Sequence, residues 1–354
     1  MKKYILRLKY LLKEKKRKFS YLIGKKENIQ DLLNIPKAYI FLAADYRNMG
    51  DVAITYAQRN MLENLLPNYE IIEVPYDKTF EKIYEIKKLI KKEDIITIVG
   101  GGNMSDRYDA IEEARRMVIK NFKNNKILSF PQTIEFSDSI EGNEALRRSK
   151  IIYSKNKNLV ILAREKMSFE KMKKIYDKNE VFLAPDIVFS LKKFVEDNLI
   201  VEEKDAEKDI GICMRNDSEK NVDVNIDFSS ELENEYKSRI EFFDTYIDEN
   251  DFNYEKRYEI LLELIRKIKR KRIIITDRLH GMILSYIADV PCIAFDNSNH
   301  KVKSTYNTWL NRCENIYLYE KKDINLCEII EKMISQNYKN NIELNFEKLM
   351  SELK

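Results

Sequence analysis

Residues Thr276 to Gly281 read ThrAspArgLeuHisGly, which sets an arginine and one of the chain's two histidines two positions apart, directly after an apolar run. An imidazole can deliver a proton to a reacting atom, and a guanidinium can hold an anion while charge moves. At the point where a strand hands over to a helix, that pair suits a small molecule carrying phosphate or carboxylate. Two further cations follow other apolar runs: Arg215 after Asp209–Met214, and Lys301 after Cys292–Phe295. Brought to one rim, Arg215, Arg278 and Lys301 would hold a phosphate and a carboxylate together. His280, assisted by Arg278, is the candidate catalytic acid, whereas His300 in the polar loop SerAsnHisLys reads as a surface residue.

The first half of the chain carries uncharged and acidic groups at comparable places. AsnMetGlyAsp at 48–51 precedes a helical stretch, with Gly50 allowing close approach, Asp51 placed to cap the helix and Asn48 facing a ligand. A tight turn with a cap explains the same residues without a ligand. Gly100, Gly101 and Gly102 are three of only eight glycines and run into Asn103 and Asp106, which suggests a ligand loop. The run matches neither the dinucleotide fingerprint nor the P-loop. Gln132 in PheProGlnThrIle, Arg164 in AlaArgGluLysMetSer and Asp186 in AlaProAspIleValPhe each follow a strand-like run. Each alone is an ordinary turn or helix start. Their shared position is the argument, because open parallel sheets bind ligands at the carboxyl ends of their strands.

These residues need a scaffold, and the pattern supplies one. Short apolar runs at 38–43, 70–74, 95–99, 126–130, 159–162 and 181–183 alternate with helical-period segments at 53–66, 80–91, 110–124 and 164–176. Alternation of this kind predicts a parallel sheet with crossover helices. A charged stretch without strand signal, 193–208, reads as a linker, and a second series occupies 209–323. The expected fold is therefore α/β, with two Rossmann-like domains (37–192 and 209–323) facing a cleft as in GT-B proteins. A basic segment, 1–36, precedes them, and a helical tail, 324–354, follows and could cross back to the first domain.

Composition narrows the partners. With 44% apolar and 34% charged residues in 354, the chain reads as a soluble globular protein. It has no apolar window of membrane-spanning length and no signal-peptide core. Four scattered cysteines, Cys213, Cys292, Cys313 and Cys327, read as reduced thiols of a cytoplasmic protein and not as a metal or disulfide framework. Residues 1–26 hold eleven Lys or Arg against the single acid Glu14, a local +10 that leaves the remainder of the +4 chain at −6. An acidic body argues against nucleic acid. The basic stretch, with Tyr4, Ile5, Leu8, Leu11 and Leu12, suits either an anionic membrane surface at the inner face of the plasma membrane or packing on its own domain.

Taken in order, NMGDVAI, GGGNMSD, FPQTI, AREKMS, APDIVF, Arg215, RLHG and VPCIAF followed by Lys301 resemble the polysaccharide pyruvyl transferase family over roughly residues 37 to 313. The resemblance implies a GT-B-like enzyme that moves an enolpyruvyl unit from phosphoenolpyruvate onto two hydroxyls of a sugar, forming a ketal and releasing phosphate. It implies no metal or nucleotide cofactor, with phosphoenolpyruvate as co-substrate and a sugar or lipid-linked oligosaccharide of a capsule, exopolysaccharide or cell-wall precursor as acceptor. Arg215, Arg278 and Lys301 would then hold the donor, and His280 would protonate it. Asn48, Gly50, Asp51, Gly101, Gly102, Asn103, Asp106, Gln132, Arg164 and Asp186 would form the acceptor side. Glu135 and Phe136 stand where the family often has Gly and Pro, so acceptor specificity is not carried over. A nucleotide-sugar glycosyltransferase of the same fold, and a non-catalytic glycan- or anion-binding scaffold, are the competing readings.

Overall fold

Short runs of Ile, Val, Leu and Phe with no polar alternation suit strands covered on both faces, and the runs of the central sheet are used that way. The computed structural model describes residues 35–205, 207–215, 236–320, 325–336 and 344–353, with positions 12, 15, 16, 338 and 342 in isolation. Apart from positions 12, 15 and 16, the basic segment at 1–26 lies outside the described residues, as does most of the acidic stretch after Arg215. The central strands β1 (Lys37–Ala43), β3 (Ile95–Ile98) and β6 (Leu159–Ala163) are buried throughout, while the edge strands β2 (Glu70–Pro75) and β7 (Glu180–Leu183) are partly exposed. With β4 (Gly101–Ser105) and β5 (Lys126–Glu135) they form a parallel sheet in the order β2-β1-β3-β5-β6-β7, β4 pairing with β5 off this path.

The crossovers are the helices α1 (Met49–Leu65), α2 (Thr79–Leu89), α3 (Asp109–Asn121), α4 (Ile140–Tyr153) and α5 (Lys166–Ile175), ending in a 3-10 turn at Ile187–Leu191. The strand order reverses between β1 and β3, so the loops after these two strands diverge and leave a crevice.

A second parallel sheet repeats the plan. Its order is β12-β11-β10-β8-β9, from β8 (Ile210–Cys213), β9 (Ile240–Phe242), β10 (Ile273–Thr276), β11 (Cys292–Phe295) and β12 (Ile316–Tyr319). Its reversal lies between β8 and β10, the strands that precede Arg215 and Arg278. The two reversals face one another, which is the GT-B arrangement of two Rossmann-like units.

Some boundaries differ from the sequence reading for identifiable reasons. The segment from Lys192 is not all linker: α6 (Lys192–Asn198) buries Val195 and packs beside α8 (Leu279–Ile287), so the connection is the stretch from 199 to 209. Strand β5 does not stop at Phe130. It continues to Glu135 with a register break at Pro131, a residue that cannot donate to the ladder and is tolerated at a bulge. The glycine run is likewise part strand: a Cβ on Gly100 would stand 2.7 Å from the Pro131 carbonyl oxygen, so glycine there lets β4 lie against the bulged β5. Gly101 has φ +116°, a backbone state that favours glycine.

One apolar cluster runs through both units. It joins the first sheet to Ile265 and Ile268 of α7 (Arg257–Arg270), to Met282, Ile283 and Leu284 of α8, and to Leu349 and Leu353 of α11 (Glu347–Leu353). Near the chain's end, Glu352 pairs with Lys126 of β5 at 3.3 Å and Lys348 lies over the Phe182 ring of β7 at 4.0 Å. The other face of the second sheet packs Ile273, Ile275 and Ile293 against Leu326, Ile329, Ile330 and Met333 of α10 (Leu326–Ser335). Among the described residues, no helix is long and apolar enough to cross a membrane.

Candidate active site

Opposed sheet reversals enclose a cavity of about 680 Å³, walled on the first-domain side by Asn48, Asp51, Gly102, Asn103 and Arg164 and on the second by Arg215, Arg278, His280 and Lys301. These residues come from segments up to about 250 positions apart, each delivered by the carboxyl end of a parallel strand.

Local chemistry fixes the first wall. Asn48, not Asp51, caps α1: its Oδ1 accepts from the Gly50 N–H at 3.0 Å. Asp51 thus falls in the first turn, where the helix dipole favours a carboxylate, and its side chain faces the cavity beside Tyr46 and His280. Burial pushes the Asp51 carboxyl up from its usual range, against the pull of His280, the Tyr46 hydroxyl, Arg164 and Lys301. Asn103 is held from behind by Arg115 of α3, whose guanidinium donates to both its carbonyl and side-chain oxygens. Arg115 is fully buried and paired with Glu112, so Asn103 has a rigid support.

The second wall is tied at its strand ends. Thr276 Oγ1 donates to the Cys213 carbonyl at 2.6 Å and accepts from the Arg278 N–H at 3.0 Å, while Asp277 Oδ1 accepts from the Arg215 N–H at 2.7 Å. Strand β10 therefore locks both cation-bearing turns. Gly281 permits this, since a Cβ there would stand 2.3 Å from Thr276 Oγ1. The Arg278 guanidinium is paired with Asp244, Nη2 donating at 2.6 Å and Nε lying 2.5 Å from the other oxygen. Lys301 opens the short helix α9 (Lys301–Thr305) and is largely buried, its Nζ approaching Gly102 together with Arg164 Nη2.

His280 is the point where the two domains meet. Its Nε2 lies 3.6 Å from Asp186 Oδ2, just beyond hydrogen-bond length, and its Nδ1 rests on Gly50, where a Cβ would come within 2.3 Å. Asp186 is itself buried, accepting from Arg164 Nη1 at 2.9 Å and from the Val188 N–H at 3.1 Å. Burial alone would raise its pKa, but His280, Arg164 and Val188 outweigh burial and hold it down at about 2. An ionised carboxylate thus stands behind the imidazole.

Five residues expected on the acceptor rim do not line the cavity. Asp186 is behind His280 and Arg164. Gln132 is fully buried because β5 continues past it, and its Nε2 donates to the Val99 carbonyl at 2.5 Å, tying β5 to the end of β3. Asp106 turns away to accept from the Ser137 N–H at 2.8 Å and its hydroxyl at 2.6 Å. Gly101 is covered by Ile54 and Asp51. Gly50 supports His280 instead of facing a ligand. His300 is exposed and paired with Asp296 at 2.5 Å.

A family model described as polysaccharide pyruvyl transferase matches residues 48–299, a span that contains every cavity residue predicted from the sequence except Lys301, two positions beyond it. The chain belongs to the polysaccharide pyruvyl transferase family. Among similar proteins, General stress protein 30 of Bacillus subtilis is 35% identical over 304 residues, covering 85% of this chain and 84% of the relative. Pyruvyl transferase 1 of Schizosaccharomyces pombe is 28% identical over 302 residues, covering 79% and 71%. A functionally uncharacterized Klebsiella pneumoniae protein shares the fold at a TM-score of 0.52 and 20% identity, over 80% of this chain and 93% of that one. Membership in the polysaccharide pyruvyl transferase family makes this chain a transferase of polysaccharide biosynthesis, with a sugar or polysaccharide as acceptor.

In this family member, sequence reasoning missed Tyr46, Asp45 and Asp244, all on the cavity's border or beside its cations. Tyr46 and Asp45 stand between the end of β1 and Asn48, a strand-end position that could have flagged them. Two consequences are measurable. Gly50→Ala should lower turnover by about 100-fold, because the new methyl displaces the His280 ring, and should cost about 1–3 kcal/mol of overpacking, offset in part by alanine's helix preference of up to about 1 kcal/mol. Steady-state kinetics beside a thermal melt check both.

The second concerns Asp45, whose carboxyl is raised to about 6 by burial and by the adjacent Asp77. Because the folded pKa lies above the unfolded one, ionising Asp45 opposes folding above about pH 6, and that penalty disappears below about pH 4. Asp45→Asn should raise the melting temperature by about 2–4 °C at pH 8, and the gain should vanish by pH 4. Melts across that range test it.

Proposed function

We propose that this transferase takes its pyruvyl unit from phosphoenolpyruvate and sets it as a ketal on two hydroxyls of a sugar in a capsule, exopolysaccharide or cell-wall glycan precursor. The observation that carries the reading is the distribution of charge across one cavity. Arg215, Arg278 and Lys301 stand on the second-domain wall, and Asn48, Asp51 and Asn103 stand opposite, beside an Arg164 whose charge is paired with the buried Asp186. Phosphoenolpyruvate brings a phosphate and a carboxylate, which suit the cationic wall. A sugar diol suits the other, where amides and carboxylates accept from hydroxyls.

In this reading His280 delivers a proton to the methylene carbon, leaving an oxocarbenium-like centre at the carbon bearing the carboxylate and phosphate. Its Nε2 lies 3.6 Å from the ionised Asp186, its Nδ1 rests on Gly50, and the ring borders the cavity in which the donor would lie. One acceptor hydroxyl adds to that centre and the carbon–phosphate oxygen bond breaks. The second hydroxyl then closes the ring. Of the two hydroxyl protons released, one is equivalent to that gained by the methyl group and the other leaves with phosphate. Asp51, a cavity carboxyl whose pKa is raised by burial, takes a hydroxyl proton in this reading. Phosphoenolpyruvate is consumed as co-substrate, and the sequence of steps calls for no resident cofactor.

The test is product analysis in deuterated water with phosphoenolpyruvate and a panel of sugar and lipid-linked acceptors. A ketal whose methyl group carries one deuterium, formed with one phosphate per ketal, is the expected result. Release of UDP from a nucleotide sugar, with no phosphate from phosphoenolpyruvate, would replace pyruvyl transfer by glycosyl transfer.

A further inference from the structure

A guanidinium at the end of a flexible stem recognises a planar anion well only if its orientation is fixed in advance. For Arg278 that orientation comes from Asp244, in the segment between β9 and α7. The carboxylate takes the Nε and Nη2 side of the guanidinium at 2.5 and 2.6 Å, so Nη1 is not part of this fork. Asp244 is itself held, because its Oδ1 also accepts from the Tyr246 N–H at 3.0 Å.

The residues that follow Asp244 reach the other domain. Thr245 accepts through its carbonyl from the Met49 N–H at 2.7 Å, Ile247 donates to the Arg47 carbonyl at 2.9 Å, and Tyr246 and Asn48 form an antiparallel bridge. Asn48 caps α1, and the next residue but one, Gly50, carries the imidazole of His280. A single short segment therefore touches the donor-side arginine with its first residue and the acceptor-side loop with the next three.

We propose that Asp244 is a positioning residue for donor binding: it aims Arg278, and the clasp formed by Asp244 to Ile247 makes that aim depend on contact with the first-domain loop at 47–49. This rests on phosphoenolpyruvate as the donor. The two half-sites are then assembled together, and the donor is held well only when the acceptor loop is in place.

The test is calorimetric titration of phosphoenolpyruvate into the full chain as wild type, Asp244→Ala, Arg278→Ala and the double variant, with Asp244→Glu as the conservative control. Thermal melts identify any variant that has lost its fold. Positioning predicts that Asp244→Ala weakens binding about tenfold or more in the presence of Arg278 and by less than about twofold in its absence, and that Asp244→Glu recovers part of the loss. A merely structural aspartate would weaken both backgrounds alike, and that additive result overturns the proposal. So does Asp244→Ala binding as well as, or better than, wild type, which would make Asp244 irrelevant or a competitor for the arginine. Wild type that binds UDP and not phosphoenolpyruvate removes the donor reading itself, a different failure that shows before any variant is compared.

Discussion

Replacing His280 by alanine should lower turnover by about 1,000-fold while leaving phosphoenolpyruvate binding within a few-fold of wild type. The imidazole lines the cavity with the Asp186 carboxylate 3.6 Å behind it. General acid catalysis by a positioned side chain is worth about 100- to 10,000-fold, and anion binding stays with Arg215, Arg278 and Lys301. The side chain is a small part of the buried interface, so the melting temperature should shift by only a few degrees. Kinetics with the identified acceptor, paired with donor titration, separates the outcomes. Equal loss of binding and turnover would mean that His280 holds the donor and does not protonate it.

The largest effect on stability should come from Asp186→Ala. Asp186 and Arg164 are each about 1% exposed and 2.9 Å apart, and removing one partner leaves a buried charge without its counter-ion, at a cost of about 3–5 kcal/mol. Arg164 keeps its bond to Thr133 Oγ1, at 2.7 Å, which carries no charge to replace the lost carboxylate. Because the folded pKa of Asp186 is depressed, its contribution is present above about pH 4 and lost only as pH falls toward 2. Chemical denaturation at pH 7 should therefore show the full loss. Removing both charges, as Arg164→Met with Asp186→Leu, should recover much of it, since a well-packed apolar pair is often as stable as a buried ion pair. A double variant no more stable than Asp186→Ala would show that the pair is worth more than its packing. Activity should not return in the double variant, because His280 would still lack its carboxylate.

The fold was legible because buried parallel strands are continuous apolar runs, and every such run from Lys37 to Phe295 became a strand within a few residues. The cationic wall of the cavity was legible for the same reason: Arg215, Arg278, His280 and Lys301 each follow a strand or its loop, and parallel topology sends all such ends to one rim. What a strand end does not reveal is which way its side chain turns. Asp186 and Gln132 occupy strand-end positions as Arg164 does, yet one stands behind His280 and the other inside the sheet, because β5 runs on past Pro131. The strand character of Gly101 and Gly102 depends on pairing with a segment some thirty residues away. Asp244 follows a strand of only three residues in an acidic stretch without periodicity, so nothing local announces its place beside Arg278.

The most direct measurement is thermal stabilisation of the purified chain by phosphoenolpyruvate, and separately by UDP and nucleotide sugars, with Arg278→Ala in parallel. At about 100 times the dissociation constant, a ligand at a true site adds roughly 2.7 kcal/mol. Stabilisation by phosphoenolpyruvate that Arg278→Ala sharply reduces is the predicted result. A shift with UDP or a nucleotide sugar and none with phosphoenolpyruvate would contradict pyruvyl transfer from this donor.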